Sequence, residues 1–290
     1  MKSGVSGATL PLAVLCVIGL ATCSAKKNDE PQRMFNSKDS RDGQFPYAVF
    51  QLRKSGRMYY SCTAAIINET WVLTAAHCLR QGSNPNHNLF VAGRANMREY
   101  IAQRFRNMSI NDDIDEERFR VQERRAAAYY IHPQHNNRGS HDIGLVRLNR
   151  PFVMNDRVNS VPLTNRPFDR TMNCTGVGYG LTEDNVRRYH LQYVDNMPAK
   201  PARLCRFQRF RDVICLADRT RGICQGDSGG PLVCDGSVRG AASHGISTST
   251  NCGSGVVEQY YSDAHRNMEW INSVMTKEKD SKSKKAKKKH

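Results

Sequence analysis

Residues 224–233 read Cys224-Gln225-Gly226-Asp227-Ser228-Gly229-Gly230-Pro231-Leu232-Val233 and place one serine in a glycine-rich turn that opens onto an apolar run. Glycines on either side let the backbone fold tightly around residue 228, so that its hydroxyl is presented at the turn. A hydroxyl becomes a nucleophile only when a base removes its proton, and the oxyanion formed by its attack on a carbonyl needs fixed donors. The amides of Gly226 and Ser228 are the candidate donors. The stretch therefore reads as the nucleophile turn of a covalent hydrolase.

Two distant segments supply the missing roles. Thr74-Ala75-Ala76-His77-Cys78 follows the apolar run Trp71-Val72-Leu73, which puts His77 at the end of a strand as the candidate base. Asp142-Ile143-Gly144-Leu145-Val146 puts a carboxylate at the mouth of another strand-like run, where Asp142 can orient the imidazole and stabilise its protonated form. The order His, Asp, Ser, carried by TAAHC, DIGLV and GDSGGP, resembles the chymotrypsin-like serine proteases of the trypsin fold from about Met34 to Met275. That resemblance implies an all-β fold of two six-stranded Greek-key barrels with a C-terminal α-helix. It also implies a secreted serine endopeptidase in which Ser228 forms the acyl-enzyme, His77 carries the proton, and protein or peptide is the substrate. A regulatory or binding homologue acting through a basic surface is the alternative; such homologues commonly lose a triad member, and here all three are present.

By the same resemblance, Gly222, Ile223, Gln225, Ser243, His244 and Gly245 line the substrate site. Gly222 occupies the pocket floor, where trypsin-type members carry an aspartate, so the primary specificity is expected to be uncharged and chymotrypsin- or elastase-like. The facing wall has two readings. Alignment on Gly255-Val256-Val257 puts a glycine there and predicts Phe, Leu, Tyr or Met acceptance; counting back from Trp270 puts Gln259 there and predicts a smaller or mildly polar preference. His244 and Tyr179 replace tryptophans common in the family, the first in the substrate groove and the second structural.

The family is made as zymogens, which implies cleavage after Arg33 by an upstream activating protease. The new ammonium of Met34 would then pair with Asp227, a buried ion pair formed only after the cut. Met34-Phe35-Asn36-Ser37 departs from the usual Ile-Val-Gly-Gly, and Ser37 is unfavourable if its position demands a positive φ.

The rest of the chain suits this reading. Lys2, an apolar stretch from Leu10 to Leu20 and the small residues Cys23-Ser24-Ala25 have the three parts of a secretory signal, giving a signal peptide over 1–25, a propeptide over 26–33 and a protease domain over 34–276. Removing the signal leaves eight of ten cysteines, an even count that predicts disulfides in an oxidising compartment. The resemblance pairs Cys62 with Cys78, Cys174 with Cys234, Cys205 with Cys215 and Cys224 with Cys252. Asn68 and Asn107 head usable glycosylation sequons; Asn173 adjoins a cysteine expected to be bonded.

Strand-like runs recur at Ala48 to Leu52, Thr63 to Ile67, Trp71 to Thr74, Ile143 to Leu148, Leu232 to Cys234, Val238 to Ser243 and Val256 to Tyr261. Ala264, Met268, Ile271 and Met275 predict a closing helix behind Asp263 as N-cap. Between Cys78 and Asp142 lie 63 residues, and the surplus over Asn96 to Arg120 mixes acids with arginines, which predicts a solvated insertion rather than a calcium loop. His132, His135 and His141 lack zinc-site spacing and read as structural or solvent-facing; no metal and no cofactor are expected.

Formal charge is +16, of which the segment 277–290, with eight lysines against two acids, contributes +6. Its composition predicts a disordered tail, solubilising or able to tether sulfated glycans or other polyanions. No specific nucleic acid is implied, and a monomer is expected.

Overall fold

The computed structural model describes residues 37–287 apart from 80–81, 83, 107–115, 137–138, 182–188, 198, 200–204, 207–210, 219–220 and 248–255. In chain order the strands are β1 (Lys38–Asp39), β2 (Ala48–Ser55), β3 (Met58–Asn68), β4 (Trp71–Thr74), β5 (Asn88–Ala92), β6 (Gln122–Ile131), β7 (Gly144–Leu148), β8 (Cys174–Gly178), β9 (Gln192–Val194), β10 (Val213–Leu216), β11 (Pro231–Cys234), β12 (Ser237–Ser247) and β13 (Val256–Asp263). The helices are α1 (Arg98–Arg106), α2 (Glu116–Phe119) and α3 (Met268–Lys287).

Strands β2-β3-β4-β7-β6-β5 close into a six-stranded barrel, and β1-β9-β8-β11-β12-β13-β10 form a seven-stranded sheet. The second half of the expected fold is, among the described residues, this seven-stranded sheet, in which the N-terminal β1 pairs with β9 through Lys38↔Tyr193 and Asp39↔Gln192. Inward-facing Val49, Ala64, Ile66, Val72, Phe90 and Val146 fill the barrel, each buried. Leu216, Leu232, Cys234, Ala242 and Tyr261 do the same for the sheet. Closing a sheet removes exposed edges, so the barrel is a rigid support for what its rim carries.

Three expectations are corrected. The insertion after β5 is not merely solvated: α1 and α2 bury Tyr100, Ile101 and Phe119 against Phe50, Leu52 and Leu89. Glu116 of the insertion pairs with Arg124 and Arg150, and Arg104 of α1 pairs with Glu123 on β6. Of the Lys-rich segment 277–290, residues 277–287 are helical rather than coil, because α3 continues to Lys287, and 288–290 lie outside the described residues. Lysine is a good helix former, and Glu278 ties the helix to the barrel by accepting from Tyr130 and pairing with Arg147 at 2.8 Å. Finally, Asp263 caps the turn ahead of α3 rather than the helix itself, its Oδ1 accepting from the amides of His265 and Arg266.

Candidate active site

Three loops converge between barrel and sheet. His77 lies on a 3₁₀ turn, Ala76–Cys78, directly after β4. The turn is held to β3 by the Cys62–Cys78 disulfide, with Cα atoms 6.2 Å apart. Asp142 stands just before β7 and is 3% exposed. Its Oδ2 accepts from His77 Nδ1 at 2.7 Å and its Oδ1 from the His77 amide at 2.9 Å. Ser243 Oγ donates to Oδ2 at 2.6 Å. Burial works to raise the Asp142 pKa, but the His77 hydrogen bond and charge, then Ser243 and the His77 amide, outweigh it and bring it down to about 2. A carboxylate that stays ionised under these conditions fixes the ring tautomer with the proton on Nδ1 and leaves Nε2 free to act as a base.

Ser228 sits in the turn ahead of β11, which is pinned to the barrel. The Thr63 amide donates to Ser228 O at 2.9 Å, and Thr63 Oγ1 donates to Gly226 O at 2.9 Å. No hydrogen bond joins Ser228 Oγ to His77 in this structure. The turn's amides divide into two sets. Those of Asp227, Gly229 and Gly230 donate to the carbonyls of Cys224, Ala242 and Asp227 at 3.1, 2.7 and 2.8 Å. Those of Gly226 and Ser228 meet no acceptor among the described residues, the state required of donors reserved for an oxyanion. Gly226 has φ +100, a conformation that glycine supplies without strain.

Asp227 is fully buried. Its oxygens accept from the amides of Gly180 at 2.7 Å and Cys224 at 2.8 Å. A Cβ on Gly178 or Gly180 would lie 2.1 or 2.4 Å from that carboxylate, so the glycines flanking Tyr179 clear its chamber. Sequence reasoning did not use them, although their flanking pattern was visible. Tyr179 is buried and donates to Arg94 O at 2.9 Å, a structural role.

The pocket wall left open by the sequence is occupied by Gln259. It pairs with Gly245 across β12 and β13 and is fully buried. Its Oε1 accepts from Ile223 N at 3.1 Å, and its Nε2 donates to Arg221 O at 2.8 Å. A Cβ on Gly222 would lie 2.6 Å from that Nε2, so the amide fills the space over the floor. A Cβ on Gly245 would meet only Glu258 O, at 3.7 Å, so there is open space on its side. Gln225 is exposed at the rim, where its carbonyl accepts from Leu181 N. Ser243, His244 and Gly245 follow the part of β12 that pairs with β11, and there His244 and Gly245 pair with Tyr260 and Gln259 of β13.

Other predicted residues fall as follows. Cys174–Cys234 and Cys205–Cys215 are bonded as expected. Cys224 is disulfide-bonded too, and Cys252 lies outside the described residues. So do Arg33, Met34, Asn107, Gly255 and the signal and propeptide segments. Ser37 is free of positive φ and donates to Gln192 at 2.6 Å. Asn68 is half-buried in the β3–β4 turn, its Oδ1 accepting from the amides of Thr70 and Trp71. His132 is buried, stacked on His141 at 4.2 Å, whereas His135 Nδ1 approaches Asp142 Oδ1 to 3.8 Å. The one close trio of metal-ligating residue types among the described residues is Cys62, His77 and Cys78, whose sulfurs are bonded to each other.

Fold and site together define a two-lobed serine hydrolase. The Trypsin family model matches residues 34–271, and the chain belongs to that family. It is a serine endopeptidase acting on protein substrates. Coagulation factor IX of Cavia porcellus is 29% identical over 73% of this chain and 71% of its own. Human kallikrein-7 is 28% identical over 92% and 97%. Among solved structures, mouse-brain neuropsin superposes with a TM-score of 0.64 at 25% identity, covering 82% of this chain and 98% of its own. Human heparin binding protein superposes at 0.65 and 23% identity over 83% and 96%, a likeness of fold.

Proposed function

We propose that this chain cuts peptide bonds after small or mildly polar residues by an acyl-enzyme route. Ser228 attacks the carbonyl, His77 takes and returns the proton, Asp142 orients His77, and the amides of Gly226 and Ser228 hold the oxyanion. The observation that carries the reading is the Asp142 carboxylate, held by both the ring and the amide of His77 beside a turn with two unspent N–H groups. The Gln259 amide over Gly222 supports the primary specificity, because it shortens the pocket without adding charge. Profiling a peptide library with protein cut after Arg33, beside Ser228→Ala, tests both parts. Cleavage after Ala, Val, Ser or Thr that disappears in the variant is expected; dominant cleavage after Arg, or a fully active variant, would refute it.

The protein is further proposed to be secreted and switched on when cleavage after Arg33 lets the Met34 ammonium reach the buried Asp227. Among the described residues no helix is long and apolar enough to cross a membrane. Glycosylation at Asn68 and Asn107 belongs to the same reading. The lysines of residues 277–290 are proposed to hold sulfated glycans. Heparin retention should fall on deletion of residues 277–290, and unchanged retention would remove that role.

A further inference from the structure

The strand that lines the expected substrate site also carries a second histidine into the catalytic network. Pairing of β12 with β13 slips between Ala242 and His244, so Ser243 is the extra residue of a β-bulge. In a regular strand adjacent side chains point to opposite faces; a bulge re-aims one of them. Here Ser243 Oγ and His244 Nδ1 come within 3.0 Å of each other, while the same Oγ lies 2.6 Å from Asp142 Oδ2. The His244 ring is held parallel to Tyr260, centroids 4.7 Å apart and planes 10° apart. From the other side Gly139 covers it, since a Cβ there would lie 2.6 Å from His244 Cε1.

We propose that His244 is a positioning residue of the proton relay: its Nδ1–H donates to Ser243 Oγ, which locks that hydroxyl as a donor to Asp142 and couples the substrate groove to the carboxylate that orients His77. This rests on the reading of His77, Asp142 and Ser228 given above. The proton count leaves one arrangement. Ser243 has a single hydroxyl proton, and an ionised carboxylate can only accept, so that proton goes to Asp142. The contact with His244 then needs its proton from the imidazole, which places it on Nδ1. The chain His244→Ser243→Asp142←His77 is directional, and each donor polarises the next.

The arrangement also sets a charge rule. The groups facing His244 are Asp142 and His77 across Ser243, with His135 beyond Asp142, and Tyr260, whose hydroxyl is bonded to Glu258, from β13. Burial, opposed by Asp142 and aided by His77, lowers the His244 pKa, so the ring is neutral while the enzyme works. A proton added there would place a cation one serine from Asp142 and oppose the imidazolium that His77 must become during the reaction. As pH falls, activity should therefore be lost through two proton uptakes rather than one.

The test is the pH profile of kcat/KM per phosphonate-titrated site for the cut full-length protein, His244→Phe and His244→Asn, with a short peptide ester. Phe keeps the stack on Tyr260 and loses the donor; Asn offers an N–H near the Nδ1 position. Removal of one hydrogen bond beside a charge should lower kcat of the Phe variant about tenfold with little change in KM. Its acid limb should have a slope of about one where the parent approaches about two, because one of the two ionisations is gone. The Asn variant should recover most of kcat and keep the single-proton limb. A Phe variant with parental kcat and acid limb, or a parent whose limb already shows one proton, would overturn the role of His244. Failure of the parent to titrate with phosphonate would instead strike the catalytic reading on which it rests.

Discussion

At the residue scale, Gln259 makes the largest difference between this site and a deep pocket. Both ends of its amide are anchored, to Ile223 N and Arg221 O, so it cannot swing aside for a large side chain without leaving a buried donor and acceptor unpaired. Gln259→Gly should therefore enlarge the pocket and move preference towards Phe and Leu. The ratio of kcat/KM for Phe over Ala substrates should rise by tenfold or more, since pocket shape is worth about 1–3 kcal/mol. An unchanged ratio would mean that Gln259 does not bound the pocket. The residues proposed as catalytic were legible in sequence because each lies in a short, ordered motif. The identity of the pocket wall was not, because two registers of the 255–270 segment were equally consistent with its residues. The Gln259–Gly245 pairing decides between them. The Ser243–His244 contact was hidden altogether, since a bulge changes side-chain direction without leaving a mark in residue type.

At the scale of elements, α1 and α2 show where composition misleads. Arg98 to Arg106 reads as a charged stretch, yet Arg104 is 4% exposed and paired with Glu123, which also accepts from Tyr100. The pair lets a polar helix turn lie against β6 without an uncompensated charge. Arg104→Ala, which leaves the buried carboxylate with only Tyr100 and the more distant Arg125, should lower stability by about 3 kcal/mol in urea unfolding, whereas Arg104→Met combined with Glu123→Leu should cost far less. Equal losses in the two proteins would refute the buried-pair account. Strands β2, β3, β4, β7 and β11 to β13 were foreseeable from apolar runs. β8, reading Cys174-Thr175-Gly176-Val177-Gly178, was not, because its glycines carry little strand propensity. They are needed because Tyr261, Met197 and Asp227 fill the space their side chains would take. The extension of α3 was missed for a similar reason: Lys-rich composition argues for coil until Glu278 finds Tyr130 and Arg147.

At the scale of the whole molecule, the histidines around Asp142 tie the barrel to α3 and the sheet. His132 stacks on His141 and packs against Trp270, and His141 meets Asn267 and Asp212. Burial, then the neighbouring His141, brings the His132 pKa down to about 4. The unfolded chain therefore binds a proton at His132 that the fold excludes. Its contribution to stability is fully present above the ordinary histidine pKa of about 6.5 and is lost as pH falls from there to about 4. The urea midpoint should decline over that window, and less so in His132→Phe. Identical pH dependence in the two would show that His132 does not titrate with folding. Asp142 lies outside this window, because its contribution is lost only as pH falls from the ordinary value of 3.8 to about 2.

The central claim is that Ser228 is the nucleophile in a turn completed by His77 and Asp142. Mass spectrometry of the protein cut after Arg33 and treated with diisopropyl fluorophosphate tests it directly. One phosphoryl adduct per chain, on the peptide containing Ser228 and absent when His77 is replaced by Ala, is the predicted result; no adduct, or an adduct on another residue, would contradict it.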